Sequence, residues 1–458
     1  MRRKGESVKA KVLLLSTWFG LLPVSASFGQ SNYCAPLGGT TPNKLVCAFP
    51  ASGSTLAQAT FGLGTQAVTE ATNAAIPINA AVAAQLTQLP VPSATIGTIS
   101  ITKKGSDVPV PFNNLGPILT DRPDTVGRGH VFLGFNYQHF NFNALDGFNL
   151  TNIPIAFTYN DSPGQTDLKT HYGSMANDVN FKLDQYVLIA TGGLTRTLDV
   201  SVVFPINNIS MKVVSSGFQA IDYDIATGTY SLHAPPTSAS SITTTGSASG
   251  LGDVTIGLKQ MLLGGGEQHT PAAAAIGAVF RLPSGDSYNY LGSGALGGSI
   301  YGLLEYRAKL APHFKIAYIW NDESKILGLV NGGKAPLPGG LQYAIGSDFS
   351  LLSNLTINAD ILGSQFTNTP YFTSTTNAFF PPPSATELAA GVPANYTIVS
   401  TPSNTYTTAN FSGGVKWAPI RHVPLLLYGN ALIQINNVGL RADISPSFGI
   451  AYNFKLTH

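Results

Sequence analysis

Hydrophobic and polar residues alternate with a period of two along most of the chain from Gly129 onward. Successive side chains of a strand point to opposite faces, so this period marks strands. Val131, Leu133, Phe135 and Tyr137 alternate with Phe132, Gly134, Asn136 and Gln138. The same pattern runs through Val254–Leu258, Ile276–Leu282, Ile300–Leu310, Phe314–Trp320, Leu341–Ile345, Leu355–Ile361, Phe411–Trp417 and Val423–Ala431. A hairpin around Leu194–Arg196 joins 180–192 to 198–213. In its second arm Val200, Val202, Phe204 and Ile206 share one face. Ile209, Met211 and Val213 rejoin that face only after a one-residue slip, which predicts a bulge near Pro205–Asn208. The final strand places Ile444, Pro446, Phe448, Ile450, Tyr452 and Phe454 on one face. Together the segments predict about twelve antiparallel strands.

The connections alternate in length. Those near 193–197, 264–271, 311–312, 351–354 and 419–422 are short. Those near 142–178, 220–249, 284–297, 323–338 and 366–406 are long, and only 435–440 is short among them. Short turns on one side and long loops on the other, with an even strand count, predict an all-β transmembrane up-and-down barrel of the bacterial outer membrane. Closure pairs every backbone group and leaves no edge in hydrocarbon. The charges sort as well. Lys182, Lys212, Lys259, Arg281, Glu305, Arg307, Lys315, Asp348, Asp360, Lys416 and Asp443 all fall on the polar face. Alternation alone also fits a soluble barrel, with the charged face outside. The sorted loops favour lipid outside and a polar lumen. Lys259, Arg281, Glu305, Arg307, Lys315, Asp348, Asp360, Lys416 and Asp443 are then the candidate lumen-lining residues. Trp320 and Trp417 stand at opposite ends of the apolar face, as interfacial aromatics do.

Composition sharpens this. Only 10% of the 458 residues are charged, against about a quarter in soluble proteins. No stretch of about 20 apolar residues follows the N-terminus, which excludes a helical membrane protein. The net charge is +2 with no basic run, so nothing points to nucleic acid. Arg2, Arg3, Lys4, Lys9 and Lys11 precede the apolar run Val12–Val24, and small residues follow. Residues 1–29 therefore read as a signal peptide. Cys34 and Cys47 are the two cysteines. In an exported chain they read as one disulfide, with two free thiols as the alternative.

Residues 30–127 form an N-terminal extension before the barrel of 128–458. The Ala- and Thr-rich run from Ser54 to Leu89 predicts a helix capped by Ser54, broken near Pro77 and ended by Pro90, with disorder as the alternative. Prolines 109, 111, 117 and 123 punctuate the linker that follows. A twelve-stranded barrel is wider than the eight-stranded kind that side chains fill and narrower than the water-filled porins. Its lumen calls for charged pairs, inserted chain, or both. The extension is thus a candidate periplasmic cap or plug.

Two resemblances add to these readings. The spacing Ser447, Gly449, Tyr452, Phe454 resembles the C-terminal assembly signal of outer-membrane barrels, although the tail 455–458 follows the last aromatic. It implies the barrel assembly machinery as a partner. Residues 250–322 resemble the meta-pathway phenol-degradation family of outer-membrane transporters. The resemblance rests on Gly250-Leu-Gly-Asp-Val-Thr-Ile-Gly-Leu-Lys259, Ile276-Gly-Ala-Val-Phe-Arg-Leu-Pro-Ser-Gly-Asp286 and the segment Ala317-Tyr-Ile-Trp-Asn321. It implies passage of hydrophobic or aromatic compounds, and it carries no catalytic residue and no cofactor.

Motifs for chemistry are sparse. Gly292-Ser-Gly-Ala-Leu-Gly297 matches a dinucleotide-binding glycine pattern but opens no helix, so it reads as a loop. His139, His171 and His233 are scattered, and two cysteines cannot build a four-cysteine zinc site. The chain reads as a non-enzymatic channel in outer-membrane lipid for a small-molecule solute, without metal or cofactor. A lipase-like hydrolase and a surface-structural protein are the other classes.

Overall fold

The computed structural model describes residues 44–49, 55–56, 66–87, 89–90, 115–159, 169–232, 241–264, 271–327, 333–420 and 423–455. The signal segment, Cys34, His233 and the tail 456–458 lie outside them, and of His171 only the backbone is described. Twelve strands form the wall: β1 His130–Phe142, β2 Lys169–Gly193, β3 Leu198–Asp224, β4 Thr255–Leu263, β5 Ala272–Arg281, β6 Gly297–Tyr306, β7 Leu310–Asn321, β8 Gly339–Leu352, β9 Leu355–Pro370, β10 Ser403–Trp417, β11 Leu425–Gln434 and β12 Ile444–Lys455. Each pairs antiparallel with the next, and β1 closes on β12 from His130↔Lys455 to Gln138↔Ser447. The result is a closed twelve-stranded antiparallel barrel. Its turn end carries the short connections and both ends of the wall; the long connections rise from the opposite, loop end.

The outer face carries an apolar belt. Leu133, Phe135, Leu188, Phe204, Ile256, Leu258, Ile300, Ile345, Ile357, Phe411, Phe448 and Ile450 are all exposed. Trp320 lies at the loop end of the belt and Trp417 at its turn end. The helix α1, Gln66–Leu86, is not apolar enough to cross a membrane, and no other described helix is. A closed barrel with an apolar exterior is how strands cross lipid without unpaired backbone. The chain is a transmembrane β-barrel of the bacterial outer membrane.

The expected bulge at Pro205–Asn208 does not occur. β2 and β3 stay in one register from Val187↔Pro205 to Asp184↔Asn208 and beyond. It is the polarity that changes sides. Val200, Val202, Phe204 and Ile206 point outward, whereas Ile209, Met211 and Val213 point inward and are buried. Asn208, Ser210 and Lys212 take over the exposed face. The switch is level across three strands, since Tyr137 pairs with Tyr186 and Tyr186 with Ile206. The rings of Tyr137 and Tyr186 lie 5.3 Å apart there. Beyond this row β1–β3 stand clear of lipid, so water takes the outer face and a packed core the inner one. Lys182 and Lys212 accordingly point outward, not into the lumen as their polar face suggested.

That core is built on α1. Ala71, Ala75, Ile78 and Val82 belong to the same buried cluster as Phe140, Phe142, Phe181, Leu183, Met211 and Val213. The helix runs from Gln66 to Leu86 without the expected break at Pro77. An interior proline costs a helix about 3 kcal/mol, and burial on both sides of it outweighs that cost.

Three tyrosines of the wall lie against glycines directly opposite: Tyr301 on Gly277, Tyr343 on Gly363 and Tyr428 on Gly449. A Cβ at any of these glycines would overlap the ring. Gly363→Val should therefore destabilise the barrel by about 1–3 kcal/mol through overpacking. A lower temperature for the folded-to-unfolded shift on an electrophoretic gel would register it; an unchanged temperature would refute the close fit.

Candidate functional site: the barrel lumen

Residues 115–126 lie inside the barrel. They bond to inward side chains from six strands around the ring, a placement possible only for an enclosed segment. The Lys416 ammonium donates to the carbonyls of Leu115, at 3.1 Å, and Pro117. The Leu115 amide donates to Thr356 Oγ1 at 3.0 Å. Lys259 donates to the carbonyls of Arg122 and Asp124 at 2.8 and 2.6 Å and lies 3.4 Å from Asp121 Oδ1. Arg122 bridges Glu305 at 3.0 Å and Asp124 at 2.9 Å, and Arg307 pairs with Asp124. Asp199 accepts from the Val126 amide at 2.9 Å. His313 sits between Asp360 at 2.6 Å and Asp348 at 3.4 Å, with Thr120 Oγ1 at 3.2 Å. Each buried charge thus faces an opposite charge or backbone polar groups, without which burial would be prohibitive.

Of the nine candidate lumen residues, Lys259, Glu305, Arg307, Asp348, Asp360 and Lys416 are almost fully buried in this layer. Arg281 stands nearer the loop end, donating to Asn321 Oδ1 at 2.6 Å and the Thr87 carbonyl at 3.3 Å. Lys315 is half-buried against the Tyr301 ring. Asp443 is exposed just before β12 and joins none of them. Asp121, Arg122, Asp124, Asp199 and His313 escaped the sequence reading. The run Asp121-Arg-Pro-Asp124 was the available signal, three charges within four residues just before the first strand. His139 pairs with Asp184 at 2.7 Å on the outer face. In the assembly segment Ser447 is buried inward and Tyr452 exposed outward. Cys47 is disulfide-bonded.

The loop-end half is closed by α1 and the first loop. Asn79 accepts from the Tyr290 hydroxyl at 2.9 Å, and Gln85 donates to Asp146 Oδ1 at 3.2 Å. Asp146 also accepts from the amides of Phe372 at 2.8 Å and Gly439 at 3.0 Å, tying helix and three loops together. Burial raises its carboxyl from 3.8 to about 6 despite these donors. The folded state then holds its proton more tightly than the unfolded chain. This contribution to stability is complete below about pH 4 and is lost as pH rises through about 6, by an amount on the order of 3 kcal/mol. Protection of the Phe372 and Gly439 amides from hydrogen exchange, corrected for intrinsic rates, should fall across that window. Asp146→Asn should flatten the dependence; a wild-type profile already flat would contradict it.

Between the two layers lies a cavity of about 340 Å³, lined by Thr87, Leu119, Asp121, Arg281, Tyr301, Lys315, Tyr343 and Tyr406 among others. Among the described residues no cluster of His, Cys, Asp and Glu could hold a metal ion.

This geometry defines an outer-membrane barrel whose lumen is crossed by its own N-terminal chain. No family model matches the sequence, and no curated protein does. Among solved structures the chain is similar to the COG4313 outer membrane channel from Pseudomonas putida F1, at 11% identity over 72% of this chain and 98% of that one, with a TM-score of 0.44. It is also similar to the Ralstonia pickettii toluene transporter TbuX, at 11% identity over 74% and 92% with a TM-score of 0.25, and to a Pseudomonas aeruginosa FadL homologue, at 9% over 72% and 90% with 0.27. Likeness this distant carries no function across.

Proposed function

We propose that the chain is a passive outer-membrane channel for small solutes, hydrophobic or aromatic compounds among them, narrowed by its own N-terminal extension. The observation that carries this is the lumen itself: a polar, cavity-bearing interior enclosed by a closed wall, with residues 115–126 bonded to it chiefly through buried ion pairs and backbone carbonyls. A barrel serving only as a surface scaffold has no need of such an interior. The resemblance of residues 250–322 to the meta-pathway phenol-degradation family supports the aromatic part of the reading. Single-channel recording of the refolded chain in planar bilayers tests it. Discrete conductance steps are expected, and a properly inserted barrel that passes neither ions nor solute would end the proposal.

A further inference from the structure

We infer that the cavity between the two lumen layers is a binding site for a small aromatic carboxylate, with the Lys315 ammonium as its counter-ion. The inference rests on the channel reading and adds the chemistry of the solute. At about 340 Å³ the cavity is at the lower end of the range of small-molecule clefts.

Five charged side chains of the described residues line it: Asp121, Asp253, Arg281, Lys315 and Arg441. Four are engaged by the protein. Asp253 accepts from the amides of Ser293 at 2.7 Å and Gly285 at 3.1 Å. Arg281 is bonded to Asn321 and Thr87 as described above. Arg441 donates to the Asn436 carbonyl at 3.1 Å. Asp121 accepts from the Arg122 amide at 2.8 Å and faces Lys259.

Lys315 differs. Its ammonium stands 5.1 Å from the centroid of the Tyr301 ring, and among the described residues no carboxylate comes within ion-pair distance, Asp121 acting on it only from farther off. A ring face attracts a cation through its quadrupole but does not neutralise it as a counter-ion would. Among the described lining residues three cations stand against two carboxylates, an excess of one positive charge. An entering carboxylate meets that charge without first displacing a protein anion.

The remaining wall selects the body of the ligand. Tyr301, Tyr343, Phe366 and Tyr406 all border the same space. Aromatic rings favour a flat apolar solute by offset or edge contact. A single cation without an ion-pair partner among the described residues suits one carboxylate, because the two arginines, the residues suited to a forked anion such as phosphate, already serve neighbours.

The test compares benzoate with its neutral isostere benzamide by equilibrium dialysis against the full refolded barrel. Benzoate should bind about tenfold tighter or more, the gain of one charge-assisted contact. Lys315→Gln should erase the preference and Lys315→Arg should keep it. Equal binding of the two probes by the wild type, or a preference that survives Lys315→Gln, overturns the inference. Bilayer recording separates this from the channel reading. A barrel that prefers benzoate yet passes no current keeps the site and loses the channel; one that conducts without that preference does the reverse.

Discussion

Leu258→Arg or Ile357→Arg lowers the stability of the inserted barrel by roughly 2–4 kcal/mol. Both side chains are about two-fifths exposed, at 42% and 41%, and both lie in the belt. Leu258 pairs with Val200 and Ala278, and Ile357 with Phe349 and Val415. A guanidinium there has hydrocarbon on its outer side and no partner. Ser210→Arg is the control. It lies on the same outer face of β3, four residues past Ile206, where the neighbours are Asn208 and Lys212. Its cost should stay within about 0.5 kcal/mol, as at ordinary surface sites. Urea titration of the refolded proteins in vesicles measures all three. Equal losses at the three positions would mean that the outer face is not divided between lipid and water.

The second large effect concerns the lumen. The double variant Arg122→Ala, Lys259→Met should raise single-channel conductance. Arg122 is the partner of the buried Glu305, and Lys259 holds the carbonyls of Arg122 and Asp124. Breaking one buried pair typically costs about 3–5 kcal/mol, roughly two to four orders of magnitude in the ratio of released to held segment. The remaining bonds at Lys416 and Asp199 keep the extension tethered at both ends of residues 115–126. Opening should therefore appear as long-lived high-conductance episodes and not as a uniformly wider pore. Lys182→Met, on the outer face, should change nothing. Unchanged conductance from a correctly inserted double variant would show that this segment does not restrict flow.

Much of the architecture was legible in the chain because a strand has only two faces. Period-two alternation, loops sorted by length and a low charge content predict a transmembrane barrel. In Ile444–Lys455 even the facing of each residue follows from the pattern, with Ile444, Phe448, Ile450 and Tyr452 exposed and Ser445, Ser447 and Asn453 buried. What alternation cannot carry is which side of the wall is wet at a given height. The phase shift between Ile206 and Ile209 has two local solutions, a slipped backbone or a changed environment. Only the level row of Tyr137, Tyr186 and Ile206, made by pairing across strands, decides for the second. Ion pairing was hidden for a related reason. Arg122 and Glu305 are 183 residues apart, and nothing local in either segment names the other. Alternation along the chain is enough to specify a closed wall with one apolar and one polar face. Where the two faces exchange roles, and which charges meet inside, is set by pairing across the barrel, because both depend on the height and angle at which distant strands are joined.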